Sequence, residues 1–554
     1  MTRSRGSDTL HFVMGETYSP GRMIRGVEVR KIRQFRLWAI SAIAISLIVP
    51  ALSQTSASSA QSQKPIYGGT LTVAIDAQPA GFAVGSNLPT PGAASVFNEI
   101  FSSLTAPTAK GTYAPYLALS VTPNKAATVW VIKLRPHAQF ADGTPINSAA
   151  VVYNLHQSQL AGSFSQVKSF ASSGPLTVIA KMKTPFSAFL AALSGPPGSM
   201  ASEKALKSEG KNFATKPVGS GPYELSSWAQ GNQIVLVRNP HYWRSKPYVS
   251  KVIYKIITDS SSRLSALQAG TVNVAELDPA QAVSAGINAS TKYKWSYFDS
   301  GTDLVYFNTG VAPLDSLLIR KALAEATDRP SLIKSVWQGI GKVANSPAWP
   351  TSPYYDSKAT EPGFNLNGAQ QLVKEYETQT GTTSVTITLL STNDPTQELL
   401  AQALQAMWQA AGITVTLQAP EEAGTQALNV IDKNYQAATF GFPPFADPDQ
   451  WFKLIWYPQA VFNVDNYKNT AIGNALTKGG EVTAVAARKN EYAIVQRALA
   501  SNVYALFLRY NAQEAAVSSK VHGLNGLTFP NGAKLPYGLE FGVPFSVESM
   551  WISK

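Results

Sequence analysis

The chain is 554 residues long, which at roughly 150 residues per domain leaves room for three to four domains. Hydrophobic residues make up 45% of it, ample for large cores, while charged residues reach only 14%, against about 25% in an average soluble protein. Cysteine is absent, which excludes disulfide scaffolds, thiolate metal sites, cysteine nucleophiles, iron–sulfur clusters and an N-terminal lipid-accepting Cys. The net charge of +12 is unevenly placed: residues 1–63 hold eight Lys/Arg against three carboxylates, and no dense basic run with interleaved aromatics follows. No nucleic-acid partner is expected from such a pattern.

Residues 1–60 read as a signal peptide and leader. Arg30, Lys31, Arg33 and Arg36 precede an apolar stretch, Leu37 to Val49, that Pro50 ends. Thirteen residues fall short of the roughly 20 that span a bilayer but suit the apolar region of an export signal. Ser58-Ser59-Ala60 offers a cleavage site, with Ser53 and Ala57 as rivals and an uncleaved anchor as the alternative, so the mature chain is expected to begin near Gln61, exported and soluble; Met23 is an alternative start.

Leu71, Val73 and Ile75 alternate with polar or small residues, the period of a strand. Further strands are expected at Val129–Leu134, Gln233–Arg238 and Val252–Ile257, and helices at Asn147–Gln159, Ser316–Thr327 and Gln397–Ala411. The clearest unit is 384–418. Val385, Ile387 and Leu389 alternate; Asn393 or Asp394 then caps a helix with Pro395 in its first turn. Leu400, Leu404, Met407, Trp408 and Ala411 form its apolar stripe, Gly412 ends it, and Ile413, Val415 and Leu417 alternate again. This predicts a β–α–β unit with parallel strands. Strands and helices mix throughout, so the class is α/β or α+β.

The search for catalytic chemistry returns little. Beyond the leader, His137, His156, His241 and His522 stand too far apart for the common zinc spacings. No G-x-S-x-G elbow occurs. Gly339-Ile-Gly-Lys342 lacks the other residues of a phosphate loop and reads as a turn, as does Gly219-Ser-Gly-Pro-Tyr223 entering a strand. Asp447-Pro-Asp449 has two readings: paired carboxylates for hydrolysis, or the cap and start of a helix. Eleven Trp, 22 Tyr and 23 Phe with few charges suit a concave site for a small organic ligand, although most such rings fill cores.

Several segments in order resemble the extracellular solute-binding proteins, family 5, of peptide and nickel ABC transporters. Gly68-Gly-Thr-Leu-Thr-Val73 looks like the family's first strand. The stretch from Leu134 to Pro145, with Ala149 to Leu155, is similar to its "LRxGVKFHDGTP…DVVYSL" signature. Pro217–Tyr223 matches "PVGTGPY", Arg238–Trp243 "RNPxYW", and Ser262–Gly270 "STRLxALxSG". Phe307-Asn-Thr309, Ile319–Leu323 and Asp328-Arg329 follow, then the 384–418 unit and Asp447-Pro-Asp449. The resemblance implies an α/β, three-lobed periplasmic binding protein-like fold of the class II type with mixed sheets. Lobe I would comprise 61–100, 215–303 and 509–554, lobe II 101–214, and lobe III 304–508. It also implies a non-enzymatic, monomeric receptor that holds a peptide or other organic solute between lobes I and III and docks on an ABC permease in the membrane. No cofactor or metal is expected.

The ligand segment departs from the family pattern. Peptide-binding members carry an aspartate that pairs with the ligand's α-ammonium; here Phe440-Gly-Phe-Pro-Pro-Phe-Ala-Asp-Pro448 puts Pro444 at that position and Phe445 where Tyr is expected. Asp447 or Asp449 remains an alternative acceptor. The candidate ligand-binding set is Gln78, Phe442, Pro444, Phe445, Asp447, Asp449 and Trp451, with no catalytic residue. Two other readings stay open: a secreted hydrolase using Asp447 and Asp449, and a binding protein that feeds a signalling partner.

Overall fold

A computed structural model describes residues 64–83, 91–161, 163–287, 289–421, 423–442, 447–458, 460, 463–535 and 545–553. The expected signal segment lies outside these residues. The alternating runs form strands at Thr70–Ile75, Val129–Leu134 and Gln233–Arg238; the fourth lies at Lys251–Ile256, one residue earlier than its apolar pattern suggests. There Lys251 pairs with Thr70 on one side and Val237 on the other, so the ladder extends past the buried residues.

Helices begin where side chains satisfy their free N–H groups. Asn147 is the cap of Ser148–Leu160, accepting from the Ala150 amide at 3.0 Å, and is not the helix's first residue. Leu317–Ala326 lies between Ser316 and Thr327. Asp394 caps Pro395–Ala410, accepting from Thr396 and Gln397, and Gly412 turns the chain at φ +90°. The flanking strands Val385–Leu390 and Ile413–Leu417 pair in parallel, Val385 opposite Ile413. The β–α–β unit forms as its sequence specifies.

One mixed sheet of eleven strands carries most of the fold. Its order runs Ile413–Leu417, Val385–Leu390, Ala437–Phe442, Tyr293–Phe307, Ala505–Ser518, Val274–Glu276, Thr70–Ile75, Lys251–Ile256, Gln233–Arg238, Tyr223–Ala229. Lys342–Val343 pairs beside Ala505–Ser518. The sheet is covered on both faces at both ends. Near the first strand, Leu71, Val73 and Ile75 pack on Val96 and Phe97, while Ala74 faces Leu264 and Leu267. At the other end Val305 and Phe307 face Leu400, Leu404 and Trp408, and the alternate residues Leu304 and Tyr306 face Phe452, Trp456 and Tyr492. A separate antiparallel sheet, ordered 118–123, 129–134, 177–182, 167–172, builds its own core around Trp130, Ile132 and Phe189 with helix Ser148–Leu160.

Candidate functional site

The two ends of the large sheet are joined by the strands Tyr293–Phe307 and Ala505–Ser518, which run antiparallel from one core into the other. Their register shifts between Asp299 and Thr302, and again between Asp303 and Leu304. Such irregularities bend a strand and raise its local twist. At the second shift Arg509 Nε lies 2.5 Å from Asp303 Oδ2, and the guanidinium stacks 4.2 Å above the Trp337 ring. Around this crossing Thr302 Oγ1, Thr439 Oγ1 and Asn511 Oδ1 are buried without a hydrogen-bond partner among the described residues. A buried polar atom left unpaired costs about 1–3 kcal/mol.

Ala437–Phe442 brings the candidate segment to this crossing: the Phe442 backbone pairs with Thr302 and Gly441 with Asp303. Pro444 and Phe445 lie outside the described residues, as do the side chains of Phe442 and Trp451. Asp447 caps the helix Pro448–Trp456, accepting from the Asp449 amide at 2.9 Å, so the helix-start reading of Asp-Pro-Asp holds. Its carboxylate also forms a forked pair with Arg488, both contacts 2.7 Å, from the helix Val485–Asn502. Arg488 further donates to the hydroxyls of Tyr354 at 2.9 Å and Tyr492 at 2.8 Å. Burial alone would lower the Arg488 pKa, but the Asp447 carboxylate holds it well above its ordinary value. Asp449 pairs with Lys453 at 2.8 Å and accepts from the Tyr492 hydroxyl at 3.2 Å; burial pushes its carboxyl up.

This arrangement bears on two sequence-level alternatives. Hydrolysis by Asp447 and Asp449 needs one free base or nucleophile and one acid facing a common substrate. Here both carboxylates are buried and committed to internal partners. The same commitments occupy both oxygens of Asp447 and Oδ1 of Asp449, the atoms with which either residue would meet a ligand amine.

Gln78 is placed elsewhere. Its Oε1 accepts from Trp228 Nε1 at 3.1 Å and from the Gly231 amide at 3.0 Å, and its Nε2 donates to Gln230 at 2.6 Å. Trp228 and Gln230 also line a cavity of about 690 Å³ whose charged residues include Asp142, Lys204, Lys216 and Glu224. The structure therefore groups Gln78 with residues 228–231 and groups Asp447 with Asp449; no described bond links the two sets.

Ser220 is buried in a turn, its hydroxyl donating to Met200 O at 2.8 Å, and a Cβ at Gly219 would stand 2.0 Å from Ile100 O. That is a packing role, as the turn reading expects. His522 stacks on Trp551, ring centroids 4.1 Å apart. Among the described residues no three His, Asp or Glu side chains gather as metal ligands, and no helix is long and apolar enough to cross a membrane.

Sequence reading did not find Arg488, Arg509 or Asp303. Arg488 and Gln496 are buried on the inner face of their helix, which masks its apolar stripe. A signal was present in the pairing of Asp447 with an arginine on a helix otherwise rich in Ala and Val, but nothing local connects residues 41 positions apart.

Comparison with known proteins joins these observations. Residues 112–463 match the family model for bacterial extracellular solute-binding proteins, family 5 Middle. The chain is 27% identical over 409 residues to the probable D,D-dipeptide-binding periplasmic protein DdpA of Escherichia coli K12, covering 71% of this chain and 78% of that protein. It is 26% identical over 420 residues to the glutathione-binding protein GsiB of Pectobacterium atrosepticum, covering 71% and 79%. Among solved structures, the substrate-binding protein CtaP of Listeria monocytogenes superposes with a TM-score of 0.77 at 21% identity, over 88% of this chain and all of that one. The oligopeptide-binding protein AppA of Bacillus subtilis, in complex with a nonapeptide, gives 0.71 at 22%, over 89% of this chain and all of that one. The three-lobed α/β fold is thus that of the periplasmic binding proteins, the relatives are binding components and not enzymes, and the chain belongs to family 5 of the bacterial extracellular solute-binding proteins.

Proposed function

We propose that this solute-binding protein captures a peptide or peptide-like solute between the two ends of its large sheet and delivers it to an ABC permease. The observation that carries the reading is the crossing itself: two bent strands connect two separately packed cores, with unpaired polar atoms between them. A link of that kind permits closure about a hinge, and a ligand that contacts both sides shifts the population towards the closed form. The similar proteins named above, a probable D,D-dipeptide-binding protein, a glutathione-binding protein and an oligopeptide-binding protein in complex with a nonapeptide, support the ligand class.

In this reading lobe I comprises 61–100, 215–303 and 509–554, lobe II 101–214 and lobe III 304–508, with hinges near 215–219, 301–308 and 506–511. The separate clusters of the 304–508 part support the lobe III division, whereas Phe101, Ala201, Ala205 and Phe213 pack into the core of Leu71, Tyr223 and Val252, so lobes I and II share a core. Phe442, Pro444, Phe445 and Trp451 form the apolar part of the ligand wall, and a proline at the amine position favours solutes without a free ammonium. The protein acts as a monomer in the periplasm or outside the cell, exported without a lipid anchor and cleaved near Gln61. N-terminal sequencing of native protein tests the cleavage, and an intact Leu37–Val49 segment in the membrane fraction overturns it.

Mass spectrometry of small molecules released from purified, denatured protein tests the central reading. A peptide or peptide-like compound at near-stoichiometric amount is expected. Small-angle scattering with the compound identified in this way should then give a smaller radius of gyration; an unchanged curve at saturation removes the hinge.

A further inference from the structure

The four-stranded antiparallel layer and the 304–510 part of the chain share no hydrophobic cluster. Among the described residues they meet at isolated points, not along packed elements. One of these points is polar and buried. Ser187, just before the short helix Phe189–Ala192, donates its backbone N–H to Gly480 O at 2.9 Å and its hydroxyl to Gly479 O at 3.2 Å.

Those carbonyls belong to the last turn of the helix Thr470–Glu481, where the final carbonyls have no partner within the helix. Arg488 Nε also donates to Gly479 O, at 3.0 Å, and a cation suits that negative helix end. Both positions are closely packed. A Cβ on Gly480 would stand 2.7 Å from Asp449 Oδ1 and 2.1 Å from Lys453 Nζ; one on Gly479 would stand 2.8 Å from the Tyr492 ring. The helix end is therefore seated on the same ion network that begins at Asp447, the residue that follows segment 443–446.

We propose that the Ser187 contact with Gly479 and Gly480 is a latch that holds the four-stranded layer against the 304–510 lobe when the cleft is shut. Arg488 is its positioning residue, tying it to Asp447 at the start of the helix Pro448–Trp456. The proposal rests on the ligand-capture reading above. Both bonds can be exchanged for bonds to water, and no common hydrophobic cluster resists separation, so the contact is built to open. Hydrogen bonds weaken steeply with misalignment, so a small shift of Asp447 that the forked pair transmits to Arg488 and Gly479 decides whether Ser187 remains bonded.

Amide hydrogen exchange on the full mature chain reads the latch without any ligand. The Ser187 amide is expected to exchange at least about tenfold faster than the amides of Thr177–Met182, because the latch opens locally while the strand must unfold. Arg488→Lys, which keeps the charge but loses the fork, should speed Ser187 exchange by roughly two- to tenfold, the worth of one hydrogen bond. Ser187→Ala should do the same by removing the hydroxyl bond alone. The strand amides should keep their rates in both variants, a pattern that a general loss of stability would not produce. Should Arg488→Lys fail to fold, Asp447→Asn enters the same network while retaining a capping side chain. Exchange of the wild-type Ser187 amide at the strand rate overturns the latch. Unchanged Ser187 exchange in the folded variants overturns the coupling. Because no ligand enters the measurement, either failure leaves the capture reading standing, and an empty mass-spectrometry result leaves the latch measurable.

Discussion

Arg509 and Asp303 face each other across an antiparallel strand pair, Nε to Oδ2 at 2.5 Å, at the register shift where the large sheet passes from one core to the other. Both side chains are largely buried, and the Trp337 ring covers the guanidinium. Breaking one side of a buried pair strands the other charge, at a cost of about 3–5 kcal/mol. Arg509→Gln should therefore lower the unfolding free energy by about that much, and the double variant with Asp303→Asn should recover part of the loss. Urea denaturation measures both. Additive losses would mean that the pair is not coupled.

Asp447 has two separable roles, which substitutions can divide. Asp447→Ser keeps a capping oxygen for the Asp449 amide but leaves Arg488 buried without its carboxylate. Asp447→Ala removes the cap as well. The first is expected to destabilise by about 3 kcal/mol and the second by about 1 kcal/mol more. Equal midpoints for Asp447→Ser and wild type in guanidinium would show that the ion pair contributes nothing.

Stability should rise on mild acidification. Burial pushes the Glu99 carboxyl up to about 8; its Oε1 accepts from Ser546 Oγ and the Val547 amide, both at 2.9 Å. Burial, and then the neighbouring Asp76, push Glu276 up to about 8 as well. Each acid holds its proton in the folded chain at pH values where the unfolded chain has released it. Folding then takes up protons, so stability falls as pH rises between about 4.5 and 8, by up to ~1.4 kcal/mol per unit for each group. Asp142 and Asp356 act in the opposite sense. Burial tends to raise them, but hydrogen bonds from Ser202 and Thr144, and from Arg497, outweigh it and hold both below the ordinary aspartate range. Their contribution is lost only in stronger acid. Thermal scans should give a higher midpoint near pH 5 than near pH 7.5, and a steep fall from neutral pH towards about pH 4 would contradict the balance.

Ligand charge gives the remaining prediction. In the proposed reading Pro444 stands at the amine position, while the described carboxylates beside it, Asp447 and Asp449, are bound to Arg488 and Lys453, so a buried ligand ammonium meets no free acid among them. An unpaired charge in a closed cleft costs several kcal/mol as an order of magnitude. N-acetyl-trialanine should bind more tightly than trialanine, and Pro444→Asp should narrow or reverse the difference. Calorimetry with the two peptides decides, and tighter binding of the free-amine form by wild type would sink the idea.

Local structure was legible where a single period or cap governs it. Gln233–Arg238 alternates cleanly and forms a strand with those bounds, and Asp394, Pro395 and Gly412 punctuate their helix as capping chemistry requires. The long strands Tyr293–Phe307 and Ala505–Ser518 were not legible, because each changes environment along its length and bends at a register shift. The ion network was also hidden. Nothing local sets Arg488 apart on its weakly patterned helix until the fold brings Asp447 to it. The contact of Ser187 with Gly479 and Gly480 joins residues that no sequence period could associate.

The pairing of Val274–Glu276 with the C-terminal part of Ala505–Ser518, Val274 opposite Val517, constrains the order in which the chain can assemble. During N-to-C emergence the first strand can pair with Lys251–Ile256 early, and the four-stranded layer closes entirely within 118–182. The far edge of Val274–Glu276 must wait until the whole 304–508 segment has emerged and residue 517 arrives. Until then an apolar strand edge stays unpaired, which is the kind of surface that templates aggregation. Slow completion of this one ladder, with its large sequence separation, is the step at which the folding chain is most exposed to aggregation.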